Sequence, residues 1–329
     1  MERIIKLNKE RWQTLFEATA RSIKISSVVV EKDFWVCVVL DYLMNKSQYK
    51  DYFIFKGGTS LSKCYDVIKR FSEDIDLILK WDKIGFKDED VFSNRSKNQD
   101  YKFETLMNEK GSSFIQNALK DDLINNLALS IDEMRIESDL NDPMTLLVYY
   151  PTSYKNDYIQ QAIKLEIGPV AAKTPTEKSQ VEPYCFKYFN VDNKESFEVN
   201  IVTIARTFWE KLLILYTECN RPIDKKTPDR YSRHYYDVYM IYKSKYFNEI
   251  IKHKDLFEEV KYFKSKYYRT SWSNIENSAL ESISLIPSED RLETIKLDYQ
   301  KMADMFFETP PSFEEIIAGL RELEKELRA

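Results

Sequence analysis

Asp74 and Asp76 stand two residues apart in the run SEDIDLIL. Polar and apolar residues alternate there, as they do in a strand that turns both carboxylates to one face and Ile75 and Leu77 to the other. At ordinary strand rise the two acids lie about 7 Å apart along the chain, a separation that two side chains can span to share one divalent cation. Such a pair suits phosphoryl chemistry, where charge on the attacking and leaving oxygens has to be neutralised. Upstream, Gly57-Gly58 uses two of only six glycines in 329 residues. The pair closes the short apolar run DYFIFK, where backbone without side chains can approach a phosphate and the first amides of a helix favour anions. Thr59 or Ser60 would add a hydroxyl. Each signal is weak alone, because a Gly-Gly turn also serves as an ordinary helix cap and Asp-x-Asp recurs by chance on acidic surfaces.

The elements that must position these residues can be read from periodicity. Residues 8–46 read as two packing helices, the second carrying Val28, Val29, Val30, Phe34, Trp35, Val38, Val39 and Leu43 on a broad apolar surface. DYFIFK reads as a strand, and TSLSKCYDVIKRF has helical spacing of Leu61, Tyr65 and Ile68. Strand, tight turn, helix and acidic strand is the implied order. The stretch 81–98 is polar and irregular, and 102–119 suits a helix leading to β-rich runs near 127–137, 144–150 and 160–167. In the last of these, IKLEIG, Lys164 and Glu166 share one face, which an exposed edge strand would also explain. From about Thr203 onward the pattern is helical, including IARTFWEKLLILY with Lys211 beside its apolar stripe and RHYYDVYMIY with Asp237 three residues after His234. Pro169–Pro183 and Pro222–Pro228 are the best loop candidates. The fold class is therefore α+β, a mixed sheet flanked by helices with an all-helical C-terminal lobe, divided as 1–200 and 201–329.

Composition limits the alternatives. Hydrophobic residues make up 43% of the chain, with 22 Tyr, 19 Phe and 5 Trp, ample for a packed core. The net charge of −5 argues against coating nucleic acid by global electrostatics, although Arg221, Lys225, Lys226, Arg230 and Arg233 form a local basic run diluted by Asp224 and Asp229. Cys37, Cys64, Cys185 and Cys219 are too scattered for a zinc site or a disulfide framework and read as reduced thiols of a cytoplasmic protein. Only His234 and His253 are available, so a two-histidine metal centre is poorly supported. GGTSLSK lacks the spaced Gly-Lys-Ser/Thr ending of a P-loop. The N-terminus has no signal-peptide core and the longest apolar run is too short for a bilayer, so no membrane association is expected.

KGGTSLSKCYDVIKRFSEDIDL resembles the active-site segment of the DNA polymerase β-like nucleotidyltransferases and, more specifically, that of the AbiEii/AbiGii toxin family of bacterial toxin–antitoxin and phage-abortive systems. VVVEKDFWVCVVL is similar to that family's N-terminal helix and MADMFFETPPSFEEIIAGLRELEKEL to its closing helices, so the resemblance covers nearly the whole chain. It implies a polymerase β-like nucleotidyltransferase fold and transfer of a nucleoside monophosphate from an NTP, with release of pyrophosphate, to an RNA acceptor, tRNA above all. Asp74 and Asp76 would then ligate Mg²⁺ or Mn²⁺. Glu166, in a Lys-x-Glu run like the family's third motif, would complete the set as metal ligand or as acceptor of the hydroxyl's proton. Gly57, Gly58, Thr59, Ser60, Lys164 and Lys211 would bind nucleotide. Asp237 would orient Lys211 through a salt bridge or touch the nucleotide. A cognate antitoxin is the implied protein partner. Nucleotidylation of a protein or small molecule, or mere binding of NTP or antitoxin, are the competing readings. Two geometric expectations follow: Asp74, Asp76 and Glu166 converge within a shared metal-binding distance on one sheet face, and Lys211 meets Asp237 at the cleft beside the helical lobe.

Overall fold

A computed structural model describes residues 1–72, 74–154, 161–188 and 196–329. The chain divides into two compact units, one of residues 1–64 and 71–202 and one of 65–70 and 203–329.

The first unit is built on a seven-stranded mixed sheet of β1 (Phe53–Lys56), β2 (Ile75–Leu79), β3 (Arg135–Ser138), β4 (Thr145–Tyr149), β5 (Ala162–Gly168), β6 (Thr176–Val181) and β7 (Phe197–Val202), in the order β3-β4-β5-β2-β1-β7-β6. β2 runs antiparallel to β1 and parallel to β5, and β1 runs parallel to β7. The central strand β2 buries Ile75, Leu77 and Leu79, as its alternation requires. β6 corrects the reading of 169–183 as loop. Its sequence TEKSQV is mostly polar and solvent-facing because it is an edge strand, paired on one side in an antiparallel ladder with β7.

Two helices, Lys9–Ile23 and Ser27–Asp41, precede the sheet. Asn8 caps the first by accepting from the Arg11 amide at 3.0 Å. The second is buried at every residue from Val29 to Asp41, including Glu31, Lys32 and Asp33. A helix buried all round has no solvent face, so these charged residues must find partners inside the protein.

The second unit is helical through Ile204–Cys219, Ser232–Tyr242, Lys254–Tyr267, Glu289–Gln300 and Phe313–Arg328. Phe208, Trp209, Leu212, Tyr235, Val238, Phe257, Ile316 and Leu320 form its core. Fully buried Glu218 accepts from Arg221 Nε and Thr227 Oγ1, both at 2.6 Å, and from Arg291 Nη1 at 3.1 Å. The helix expected over TSLSKCYDVIKRF stops at Lys63, and Asp66 takes a left-handed φ of 53°. Local periodicity loses here to tertiary anchoring. Lys63 belongs to the sheet unit and Arg70 to the helical one. No described helix is long and apolar enough to cross a membrane.

Candidate active site

The site begins with a row across four neighbouring strands. Lys56 of β1 pairs with Asp76 of β2, and Asp76 pairs with Glu166 of β5, which pairs in turn with Thr145 of β4. Residues in register on adjacent strands project to the same side, so Asp76 and Glu166 are cross-strand neighbours on one face, with Lys164 two residues along the same strand. Asp76 is half-buried, Glu166 exposed and Lys164 half-buried. Asp74 is half-buried and lies one residue before β2.

The Gly-Gly turn is built around Asp76. Gly57 opens the helix Gly57–Lys63 with φ +84°, a conformation that L side chains rarely adopt. A Cβ at Gly57 would stand 1.9 Å from Asp76 Oδ2 and 2.6 Å from its Cγ. The glycine is thus required twice, for its backbone angle and because the carboxylate occupies the space of a side chain. The Asp76 carboxylate takes no hydrogen bond or salt bridge from the described residues. A half-buried anion in that state is suited to an incoming cation.

Thr59 and Ser60 have other employment than expected. Thr59 is buried, and its hydroxyl lies 2.6 Å from the Asp74 carbonyl and 3.2 Å from that of Ser72. Ser60, fully buried, donates to the Gly57 carbonyl at 2.9 Å. The hydroxyls therefore bind the chain itself, and Thr59 fastens the backbone of the Asp-x-Asp strand to the helix. Among the described residues no three His, Cys, Asp or Glu side chains stand close enough to hold one ion. The donor set still fits a hard divalent cation, because Mg²⁺ is commonly held by one or two carboxylates while substrate phosphates and water complete its shell.

In the helical unit, Asp237 is fully buried and gathers two cations. Arg70 grips it with two bonds of 2.8 Å, Nε to Oδ1 and Nη2 to Oδ2, and Lys211 Nζ lies 2.9 Å from Oδ2. Burial alone would raise the Asp237 pKa, but the charges of Arg70 and then Lys211 outweigh it and hold the carboxyl far below its ordinary range. Lys211 is itself 8% exposed. Of the two roles left open for Asp237, this geometry favours orientation of Lys211. His234, three residues before Asp237, is pushed well below its usual value by burial and then by Lys211 and Arg233. Arg70 escaped the sequence reading because it fell at the end of the helix expected over TSLSKCYDVIKRF, and nothing local marks an arginine that pairs with an acid 167 residues later.

A family model described as nucleotidyl transferase AbiEii toxin, type IV toxin–antitoxin system, matches residues 39–319, a span that includes every residue of the site above. The chain belongs to this family. It is accordingly a nucleotidyltransferase toxin of a toxin–antitoxin system, with NTP as substrate and an antitoxin as its counterpart. Among solved structures, the nucleotidyltransferase toxin MenT4 of Mycobacterium tuberculosis is similar at 14% identity and TM-score 0.43, covering 98% of each chain. No curated protein matches.

Proposed function

We propose that this AbiEii-family protein transfers a nucleoside monophosphate from an NTP to a hydroxyl of an RNA acceptor, tRNA in the first instance, with Mg²⁺ or Mn²⁺ held by Asp76 and Glu166 and assisted by Asp74. One observation carries the reading: the Asp76 carboxylate, half-buried against Gly57 and in register with Glu166, takes no partner from the described residues. The acceptor's oxygen forms a bond to the α-phosphorus, the bond from that phosphorus to the bridging oxygen of pyrophosphate breaks, and the hydroxyl proton passes to a carboxylate. Glu166, exposed on the polar face, is the proposed acceptor of that proton. When bound, the metal supplies charge neutralisation on the phosphate oxygens. Lys164, on the same face, supplies a cation to the triphosphate, and Asp237 orients Lys211 within the helical unit. Thr59 serves by fixing the Asp74 backbone.

Incubation with each labelled NTP, Mg²⁺ and total RNA, in parallel with total protein, tests acceptor class and metal requirement together. Label is expected in the RNA fraction alone and only with the divalent ion. Asp76→Ala is expected to lower incorporation by roughly 10²–10³ or more, as does removal of a preorganised transition-state stabiliser. Undiminished labelling by that variant would place the chemistry elsewhere.

A further inference from the structure

Glu31, Lys32 and Asp33 form a charged island in the mostly apolar buried stretch of the helix Ser27–Asp41, and Asp33 leads from it to the Gly-Gly helix. Asp33 Oδ1 accepts from Lys63 Nζ at 2.6 Å, and the two side chains are 5% and 4% exposed. Asp33 Oδ2 accepts from the Tyr184 amide at 2.7 Å, and the Lys63 ammonium also lies 3.9 Å above the Tyr184 ring. Burial would lower the Lys63 pKa, but Asp33 outweighs it and keeps the ammonium charged. The carboxylate and the ammonium are thus fixed from several sides.

Lys63 is the last residue of the helix whose first residue is Gly57. Two turns of helix form a short stiff rod, so holding one end sets the other. At that other end, Gly57 lies against the Asp76 carboxylate and Thr59 holds the Asp74 carbonyl at 2.6 Å. With the Gly57 backbone this near Asp76, a shift of the rod by a fraction of an ångström would displace the carboxylate. A buried ion pair is weak evidence for stability, because burial of both charges offsets much of their attraction and apolar pairs of similar volume often replace it without loss. What it provides is a fixed distance between two elements.

We infer that Asp33 and Lys63 are positioning residues for the Asp76 site, acting through the helix Gly57–Lys63 to hold Gly57 and Thr59, and hence the two aspartates, in the geometry that receives the divalent ion. The inference rests on the role of Asp76 proposed above, and its test separates the two. The double variant Asp33→Leu/Lys63→Met removes both charges and leaves neither one buried alone. Direct titration with Mn²⁺ alone, read by the paramagnetic signal of the free ion, is expected to show about tenfold weaker binding than wild type. Thermal melting is expected to stay within a few degrees of wild type, and the Mg²⁺ concentration for half-maximal labelling to rise in parallel. Wild-type Mn²⁺ affinity in the folded double variant overturns the inference, as does a fall in labelling rate without any change in metal affinity. Should the double variant not fold, Asp33→Glu keeps both charges and lengthens the arm by one methylene. It is expected to weaken Mn²⁺ binding at unchanged melting temperature, and unchanged binding there is equally fatal. The Asp76→Ala protein, measured alongside, distinguishes the cases. If it binds Mn²⁺ and labels RNA like wild type, the site itself is wrong; if it is inactive while the Asp33 and Lys63 variants bind metal normally, only the positioning inference fails.

Discussion

At the scale of single residues, Gly57 states the design of the site most plainly. Its φ of +84° and the mere 1.9 Å that would separate a Cβ there from Asp76 Oδ2 make two separate demands that only hydrogen satisfies. Gly57→Ala is therefore expected to destabilise the protein by about 1–2 kcal/mol from the backbone angle alone. It should also reduce labelling by more than that loss of folded protein explains, because the methyl group displaces the carboxylate. Urea unfolding and initial labelling rates on one preparation check both. The glycines were visible in the sequence as a turn beside an acidic strand. That the second aspartate, rather than a phosphate alone, occupies the space over Gly57 was not visible, because the close approach joins residues on two different elements.

At the scale of elements, hydroxyls and buried charges tie segments together. Thr59→Val keeps the volume and removes the donor that the Asp74 carbonyl uses at 2.6 Å. The expected cost is about 1–3 kcal/mol, the range for leaving a buried acceptor unsatisfied, with a raised Mg²⁺ requirement in the labelling assay. Asp237→Asn is expected to cost about 3–5 kcal/mol, since Arg70 and Lys211 would remain buried with their counter-charge removed. The pH dependence follows from the direction of the Asp237 shift. A carboxylate whose native pKa is lowered contributes stability that is fully present above the unfolded value, about 3.9 for Asp, and lost as pH falls below it towards the native value. Wild type should therefore lose stability through that acid range more steeply than Asp237→Asn, which chemical unfolding at a series of pH values measures. Periodicity marked the helix bearing Lys211 and the helix bearing Asp237, and their spacing on each. Their pairing, and the share taken by Arg70, come from how the helices pack.

At the scale of the whole molecule, the RNA acceptor proposed above requires a chain of net charge −5 to segregate its charge. The segment 221–227 is the clearest place for this. Arg291, itself buried, donates to the Pro222 carbonyl at 2.7 Å, the Lys225 carbonyl at 3.2 Å and Thr227 Oγ1 at 2.7 Å, so the exposed lysines 225 and 226 stand on a fixed base. Lys225→Glu/Lys226→Glu is expected to raise the KM for RNA several-fold while leaving the KM for NTP unchanged. If both lysines contact phosphates, the logarithmic salt slope of RNA binding should become shallower by roughly 0.7 per lost contact on single-stranded RNA. Filter binding across a salt series, with steady-state kinetics in each substrate, decides it.

Local chemistry by itself determined which residue types stand where: the turn at Gly57-Gly58, the strand alternation around Asp76, the Lys164 and Glu166 pair, and the helical character of residues beyond Thr203. These are short-range properties, carried by side-chain periodicity and backbone preference within a few residues. Only the tertiary structure decided that β2 lies between β1 and β5 with Asp76 opposite Glu166, that the polar run TEKSQV is an edge strand, and that the helix after the glycines ends at Lys63. It alone brought Asp33 to Lys63 and Arg70 to Asp237, across 30 and 167 residues. Such pairings depend on which strands and helices become neighbours, and a buried charge is satisfied by whatever partner the packing brings within reach, irrespective of its distance along the chain.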